Sequence, residues 1–478
     1  MLLIVSALVS SPVAFAASPF SHLPYRIVST SLSPETCAEF LRKEKGALGI
    51  PAKAVEREDL PEALKDLWTA RLALRDRLAE FQEKGSVNEN CISRSRMFLN
   101  EARSLEDQLG ERLVRPKPFD DDHLPIALSG GFPHVMMNPA ASSIDFRSGD
   151  IFASRGTAYS SAAISRVSDQ PGQFSHLSLL YVDPVTNQKF ILQALIEKGV
   201  VITPLEKFLQ DGKGRLALYR HPDSGLAARV AAALYREVYQ SEKEGRHIPY
   251  DFSADLKDHS AQFCSELVAW GFELAGVQER LPLHASRISR HNRDFLNDTG
   301  LTPHSLFLPS DMDVDSRFTL IAEWRDFSQI VQLRQHDAIL DKEYEWMERH
   351  DYVFTKEFTM KFMRGLIRGL RRSPFSGLIS DWIPDDMPKR ALGAVVNLFL
   401  ASGPIHRELK KADEAELRRS GYRLSDSALR TFLEKLRERD HETFKEVKRW
   451  REFDRYNENS QQQPTAVFHD YFRPRNEL

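Results

Sequence analysis

The hydrophobic period changes twice along this chain, and this change constrains the fold more than any other feature. Apolar residues recur at helical spacing from about 33 to 113, in short strand-like runs from about 148 to 220, and at helical spacing again after about 330. With 478 residues, the chain also exceeds the roughly 250–300 residues at which single cores stop growing. We therefore expect an α+β middle segment between two helical regions.

Five short apolar runs in the middle segment predict strands, because their residues are β-branched or alternate and turn-forming residues separate them. The runs are GDIFAS, SHLSLLYV, KFILQALI, GVVIT and RLALYR. Helices are predicted over 224–241 and 263–275, and Gly276 is expected to end the second. The predicted fold class is α+β with a small, mostly antiparallel sheet. A Pro-, Gly- and Asp-rich stretch at 114–147 predicts a linker or an ordered loop before it.

The first residues form an apolar run, MLLIVSALVSSPVAFAA, that ends in a small-x-small pattern at Ala14-Phe15-Ala16. Such a run is typical of a secretory signal peptide and is too short to remain as a membrane span. The alternative is a buried N-terminal strand or helix. We expect a periplasmic or secreted protein, with a signal peptide at 1–17, an N-terminal helical region at 18–144, a central domain at 145–325 and a C-terminal helical region at 326–478.

The charge balance argues against nucleic acid as a partner. The chain has 65 Lys and Arg against 68 Asp and Glu, a net charge of -3, whereas nucleic-acid binding usually needs a basic excess. A basic amphipathic helix is predicted at 356–372. It either contacts an anionic membrane surface or packs its apolar face on its own domain. Residues 391–401 are apolar but too short to span, and they predict a buried helix.

The chain has 3 cysteines, which rules out a disulfide-dense small scaffold. Cys37 and Cys91 both lie near the starts of predicted helices. In an oxidising compartment they could form a disulfide that joins the N-terminal helices, and the alternative is two buried free thiols. If they pair, Cys264 is left as a single thiol, which in a secreted protein suggests chemistry.

Cys264 lies at the predicted N-terminus of a helix, where partial positive charge lowers a thiol pKa and free amides can donate to an oxyanion. His176 opens a predicted strand and is the candidate general base. Gln193 lies on the next predicted strand and is the candidate that orients the imidazole. Each residue also has an ordinary structural interpretation, most simply a core cysteine. His259 is a rival base that is close in sequence but is expected in a loop.

The order of these residues resembles a known family, the circularly permuted papain-like hydrolases of the YiiX/YaeF type. These are relatives of NlpC-type cell-wall amidases and of lecithin retinol acyltransferase. The resemblance covers roughly 145–310 and rests on GDI (149–151), Ser175-His176, a polar strand residue followed by Gly199-Val200, Tyr250-Asp251 and FCSEL (263–267). Within the family the histidine precedes the cysteine, as it does here.

The resemblance implies a permuted papain-like core in which Cys264 is the nucleophile and His176 the general base. Gln193 falls at the polar third position, where many relatives have Glu, so a neutral group would control the tautomer. Tyr250 is expected to donate to the oxyanion. The expected function is a secreted or periplasmic cysteine hydrolase that cleaves an amide, with a cell-wall peptide as substrate. The alternatives are a lipid acyl hydrolase or acyltransferase, and an inert envelope-binding protein.

No cofactor or metal is expected. The sequence has no HExxH motif, no cysteine and histidine cluster with ligand spacing, no P-loop and no dinucleotide fingerprint.

Overall fold

The structure is a computed structural model, and it describes residues 18–115, 134–141, 144–254, 258–278, 280–288, 296–297, 301, 303–355, 389–453 and 465–478. The predicted signal peptide at 1–17 and the predicted basic amphipathic helix at 356–372 lie outside the described residues. The described chain combines many helices with an antiparallel sheet, which confirms the mixed helix and sheet class.

Four helices precede the sheet; the last three lie within 33–113, where the helical spacing predicted helices, and the first lies before that range. They are α1 (His22–Ser29), α2 (Pro34–Leu48), α3 (Leu60–Glu83) and α4 (Glu89–Val114). Helix α2 begins where expected, because the Ser33 hydroxyl accepts a hydrogen bond from the Thr36 amide and Pro34 occupies the first turn. Helix α1 packs on α3, and α4 packs on both α2 and α3, so the four helices form one layered unit.

A disulfide joins this unit internally. Cys37 in α2 and Cys91 in α4 form the bond, 54 residues apart in sequence, and both are fully buried. The predicted pairing is therefore confirmed, and the alternative of two free thiols is excluded. Cys264 remains as the single free cysteine.

The central sheet has seven antiparallel strands in the order β1-β9-β6-β2-β3-β4-β5. Its strands are β1 (His134–Met137), β2 (Ile151–Gly156), β3 (His176–Val182), β4 (Lys189–Leu195), β5 (Gly199–Pro204), β6 (Lys213–Arg220) and β9 (Thr319–Arg325). Five of them are the strands that the sequence predicted. Two short pairs stand apart from this sheet, formed by β7 (Ser286–Arg287) with β8 (Ser305–Leu306) and by β10 (Tyr352–Phe354) with β11 (Phe472–Pro474).

The sheet is larger than the small one expected, because two segments without a predicted strand join it. Strand β1 lies in the stretch predicted as a linker or loop, and it pairs with β9. Strand β9 also pairs with β6, although its sequence shows no clean alternation. Glu323 and Arg325 of β9 are fully buried, so charged residues occupy positions where a sequence pattern would place apolar ones.

Helices cover both faces of the sheet and create two cores. Helix α8 (Cys264–Leu274) packs on β3 and β4 and on α7 (Ser224–Lys243), while α6 (Leu205–Gln210) packs on β4 and β5. Leu177 of β3 belongs to the core that contains Leu267 of α8, and Leu180 belongs to the core that contains Phe208 of α6. Gly276 has a positive φ of 77° and follows the end of α8, as predicted.

The C-terminal part is again helical. Helices α9 (Phe327–His350), α10 (Lys389–Ser420) and α11 (Asp426–Phe453) pack together, and α9 and α10 also hold α5 (Tyr159–Arg166), which follows β2. The predicted apolar helix at 391–401 forms the start of α10, where Leu398 and Ala401 are buried and Phe399 is exposed. None of the helices in the described parts of the chain is both long and apolar enough to cross a membrane.

A buried cluster of ion pairs connects the N-terminal helices to the sheet. The Glu323 carboxylate of β9 accepts from Arg71 of α3 at 2.5 Å, from Arg103 of α4 at 3.1 Å and from Arg325 at 2.7 Å. Arg71 also pairs with Glu106 of α4 at 2.7 Å. Burial alone would raise the pKa of Glu323, but the surrounding arginines hold it well below its usual value. The carboxylate is therefore ionised, and arginines from α3, α4 and β9 stabilise its charge.

Replacing Glu323 tests this connection. Glu323→Gln removes the central charge and leaves buried arginines without compensation, so we expect the free energy of unfolding to fall by about 3–5 kcal/mol. The matched control is Glu62→Gln, because Glu62 pairs with Lys65 at 3.3 Å on the exposed surface, where such pairs contribute about 0–1 kcal/mol. Urea unfolding of both variants measures the difference. Equal, small losses in the two variants would contradict a central role for Glu323.

Removing the disulfide should also destabilise the chain. In the chain-entropy model a closed loop of this length contributes about 4 kcal/mol, so Cys37→Ala with Cys91→Ala should lower the free energy of unfolding by roughly that amount. Dithiothreitol should destabilise the unchanged protein to the same extent and leave the double variant unaffected. A reductant effect that persists in the double variant would show that the loss has another origin.

Candidate active site

Cys264 is the first residue of α8, and local hydrogen bonding explains why the helix begins there. The Phe263 amide donates to the Glu266 carboxylate at 3.2 Å, which satisfies one of the free amides at the helix N-terminus. Glu266 is buried and thus braces the helix start. The thiol is placed where the partial positive charge of the helix acts on it.

The thiol contacts the start of strand β3. The Leu177 backbone amide lies near the Cys264 sulfur, and the Ser265 hydroxyl is 3.9 Å from it. Both contacts favour the thiolate, but burial outweighs them and raises the pKa of the Cys264 thiol above its usual value. Only 3% of the Cys264 surface is exposed. In the resting protein Cys264 is therefore a neutral thiol, and it lies near Leu177, the residue that follows His176.

His176 and Gln193 are brought together by the pairing of β3 with β4. His176 Nε2 lies 3.0 Å from Gln193 Oε1, and Gln193 Nε2 donates to the Thr203 hydroxyl of β5 at 3.0 Å. Within the described chain, the thiol and the imidazole are not hydrogen-bonded to each other. Since Gln193 engages Nε2, Nδ1 is the ring nitrogen left to accept a proton. Catalytic hydrogen bonds are often long in substrate-free enzymes and shorten when substrate binds.

The surroundings of His176 keep the imidazole neutral. The pKa of His176 is lowered to about 4, mainly by burial. The charge of Lys213 also lowers this pKa, whereas the hydrogen bond to Gln193 and the charge of Asp211 raise it. Lys213 is held beside the ring by the Phe208 carbonyl at 2.6 Å. A neutral imidazole is the form that can act as a general base at neutral pH.

Tyr250 lies beside the cysteine. It forms a parallel bridge with Gln262, two residues before Cys264, and it borders the apolar cluster that contains Cys264. Burial, followed by the negative charge that Cys264 carries when ionised, raises the pKa of the Tyr250 phenol well above its usual value. The phenol therefore keeps its proton and remains a hydrogen-bond donor.

His259, the alternative candidate for the general base, contacts groups other than the Cys264 thiol. Its ring stacks on Trp270 with centroids 5.2 Å apart, its Nε2 lies 3.2 Å from Glu273, and its Nδ1 lies 3.2 Å from the Gln262 side chain. Both ring nitrogens are thus engaged away from the thiol. His259 fits a role in fixing the loop before α8.

Two contributors to the site carried no signal in the sequence. Strand register brings Thr203 next to Gln193, and the packing of α8 on β3 brings the Leu177 amide near Cys264. A threonine in a strand and a backbone amide have no distinctive pattern, so only the assembled sheet reveals them. The described residues hold no group of three or more His, Cys, Asp or Glu side chains that could bind a metal ion.

The segment that contains His176, Gln193 and Cys264 is similar to known proteins. Residues 145–309 match a family model described as permuted papain-like amidase enzyme, YaeF/YiiX, C92 family. A solved structure, that of the metalloprotein YiiX from Escherichia coli O157:H7, is similar at 19% sequence identity, with 37% of this chain and 96% of that chain covered and a TM-score of 0.29. No curated protein matches the chain.

Thiol alkylation tests whether Cys264 and His176 are both neutral in the resting protein. Since Cys37 and Cys91 are bonded, iodoacetamide can modify only Cys264 in the oxidised protein. With a raised thiol pKa and a His176 pKa of about 4, we expect alkylation to accelerate steadily as pH rises above neutral. The rate of mass increase from pH 4 to 10 measures this, with Cys264→Ala as the unreactive control. A rate plateau that begins near pH 5 would instead indicate a thiolate–imidazolium pair.

Proposed function

Because residues 145–309 match the permuted papain-like amidases, a class of cysteine peptidase and amidase-type hydrolases, we propose that this protein cleaves an amide bond through an acyl-enzyme on Cys264. The observation that carries the proposal is that α8, with Cys264 at its head, packs on strand β3 near Leu177, the residue that follows His176. The His176 ring itself is held by Gln193.

The proposed reaction begins with proton transfer. Nδ1 of His176 takes the thiol proton as the Cys264 sulfur attacks the substrate carbonyl. The resulting oxyanion is stabilised by amides at the N-terminus of α8 and by the Tyr250 hydroxyl. The imidazolium then protonates the leaving amine, the C–N bond breaks, and a thioester forms. Water, deprotonated by His176, attacks the thioester and releases the acid, which restores the thiol.

The substrate that we propose is a peptide of the bacterial cell wall, encountered in the periplasm or outside the cell. The disulfide between Cys37 and Cys91 supports this location, because such bonds persist mainly in oxidising compartments. The apolar N-terminal run with its small-x-small end supports it independently.

A second candidate substrate is a lipid amide or ester. Cys264 is surrounded by an apolar cluster, which contains Val167, Ala254, Phe263, Ile288, Leu296, Leu306 and Leu308. Such surroundings suit an acyl chain, since burying apolar surface stabilises a complex by roughly 25 cal/mol per Å². The basic amphipathic helix predicted at 356–372 would aid access to a membrane surface.

Removing the thiol tests the proposed chemistry. Cys264→Ala should reduce turnover by at least about 10³-fold, because the covalent step depends on the nucleophile. Purified peptidoglycan fragments and phospholipid vesicles, digested side by side and analysed by mass spectrometry, separate the two substrate classes. Thermal unfolding of the variant controls for loss of fold. Full turnover by Cys264→Ala would overturn the mechanism, and no product from either substrate would favour an inert binding protein.

A further inference from the structure

His176 is the first residue of β3, and its backbone is paired with only one neighbouring strand. It pairs with Ser154 of β2, whereas the pairing of β3 with β4 begins only at Leu179 with Leu192. The chain enters His176 from a loop. The position of His176 therefore also depends on the contacts that hold this loop.

Two residues of α4 hold the loop from outside the sheet. The Asn100 side-chain amide donates to the Pro171 carbonyl, and the Gln173 side-chain amide donates to the Asn100 carbonyl at 3.0 Å. The guanidinium of Arg103 lies over the Phe174 ring, 4.8 Å from the ring centroid. Positions three apart are neighbours on a helix surface, so a single face of α4 contacts the loop.

The donors and acceptors in these two hydrogen bonds are unambiguous. A carbonyl oxygen only accepts, so the Nδ2 group of Asn100 faces Pro171 and the Nε2 group of Gln173 faces the Asn100 carbonyl. A reversed side-chain amide would place two oxygens side by side with no hydrogen between them. The two hydrogen bonds therefore fix the separation between α4 and the loop.

Ser310 holds the same loop from a second side. Its hydroxyl oxygen accepts from the Gln173 backbone amide at 2.9 Å and from the Phe174 backbone amide at 3.0 Å. A Cβ atom added at Gly172 would lie 2.1 Å from this oxygen, so a side chain at that position would block the approach. The end of the loop is therefore held between α4 and Ser310.

We propose that Asn100 is a positioning residue that acts through the loop at 171–174 and keeps the His176 imidazole in place beside Gln193. This inference rests on the proposed function, in which His176 is the general base. Asn100 does not contact the reacting atoms. It lies in the N-terminal helical region, outside the residues 145–309 that match the family model. This region therefore contributes to catalysis by supporting the general base.

Ser104 provides the matched control. It lies on α4 one turn after Asn100, and its hydroxyl donates to the Asp426 carboxylate of α11. Asn100→Ala and Ser104→Ala therefore each remove one hydrogen bond donated from α4, but only the first of these bonds holds the loop before His176. Urea unfolding of both variants measures how much stability each replacement costs, so that a general loss of fold is recognised.

The direct readout is the pKa of His176 in the full-length protein. Nitrogen-15 NMR titration of histidine-labelled protein measures it, with the His176 signals assigned by their loss in His176→Ala. Burial is the largest cause of the low pKa of about 4, so a loosened loop that admits water should raise this pKa toward the usual value of about 6.5. We expect such a rise in Asn100→Ala and in Ser310→Ala, and no change in Ser104→Ala. An unchanged pKa in Asn100→Ala, or an equal rise in Ser104→Ala, would overturn the proposal.

The kinetic readout separates the chemical step from substrate binding. Asn100→Ala should lower kcat by about tenfold with little change in KM, as expected for one lost hydrogen bond that acts on the general base. Asn100→Asp keeps the size of the side chain but has no donor for Pro171, so it should lower kcat as well, whereas Ser104→Ala should not.

A raised KM with unchanged kcat in Asn100→Ala would assign this residue to substrate binding and would contradict the proposal. The NMR titration does not require turnover, so failure of the proposed hydrolase activity remains distinguishable from failure of this inference.

Discussion

The arrangement of the chain depends on the ion pairs of the Glu323 carboxylate. This buried carboxylate pairs with arginines from α3, α4 and β9 itself. Breaking a buried ion pair is costly because it leaves an uncompensated charge. The N-terminal helices and the sheet therefore stabilise each other, and the disulfide between α2 and α4 restrains the same helical unit. A second ion-pair cluster joins the sheet to the C-terminal helices, where Arg155 of β2 and Arg166 of α5 share Asp337 of α9 at 2.7 and 2.5 Å.

The candidate active site lies on this sheet, and its thiol and imidazole are both neutral. Burial raises the pKa of the Cys264 thiol and lowers that of the His176 imidazole, so neither group is charged at rest. Charge then develops only when the proton moves and the sulfur attacks, which is when preorganised donors stabilise it most effectively. A neutral glutamine as third residue is consistent with this scheme, since a carboxylate would favour the imidazolium.

The elements that carry the proposed chemistry could be predicted with good accuracy. The start of α8 at Cys264, the strand that begins at His176 and the next strand with Gln193 all lie where periodicity and turn residues placed them. Both strands are short, mostly apolar runs bounded by turn residues, and their central residues are buried on both faces. Strands β1 and β9 could not be predicted. The first is only four residues long, and the second buries charges that become favourable only beside arginines distant in sequence.

Sequence patterns located the residue types and the local elements that hold them: a cysteine at a helix start, and a histidine and a glutamine on successive strands. The disulfide that leaves this cysteine unpaired, and the orientation and ionisation of all three groups, follow from the packed structure. Strand register brings the Thr203 hydroxyl to the Gln193 amide, and packing brings the Leu177 amide to the thiol. Burial sets both pKa values. These effects depend on distances and on the exclusion of water, which arise only when segments far apart in sequence are packed together.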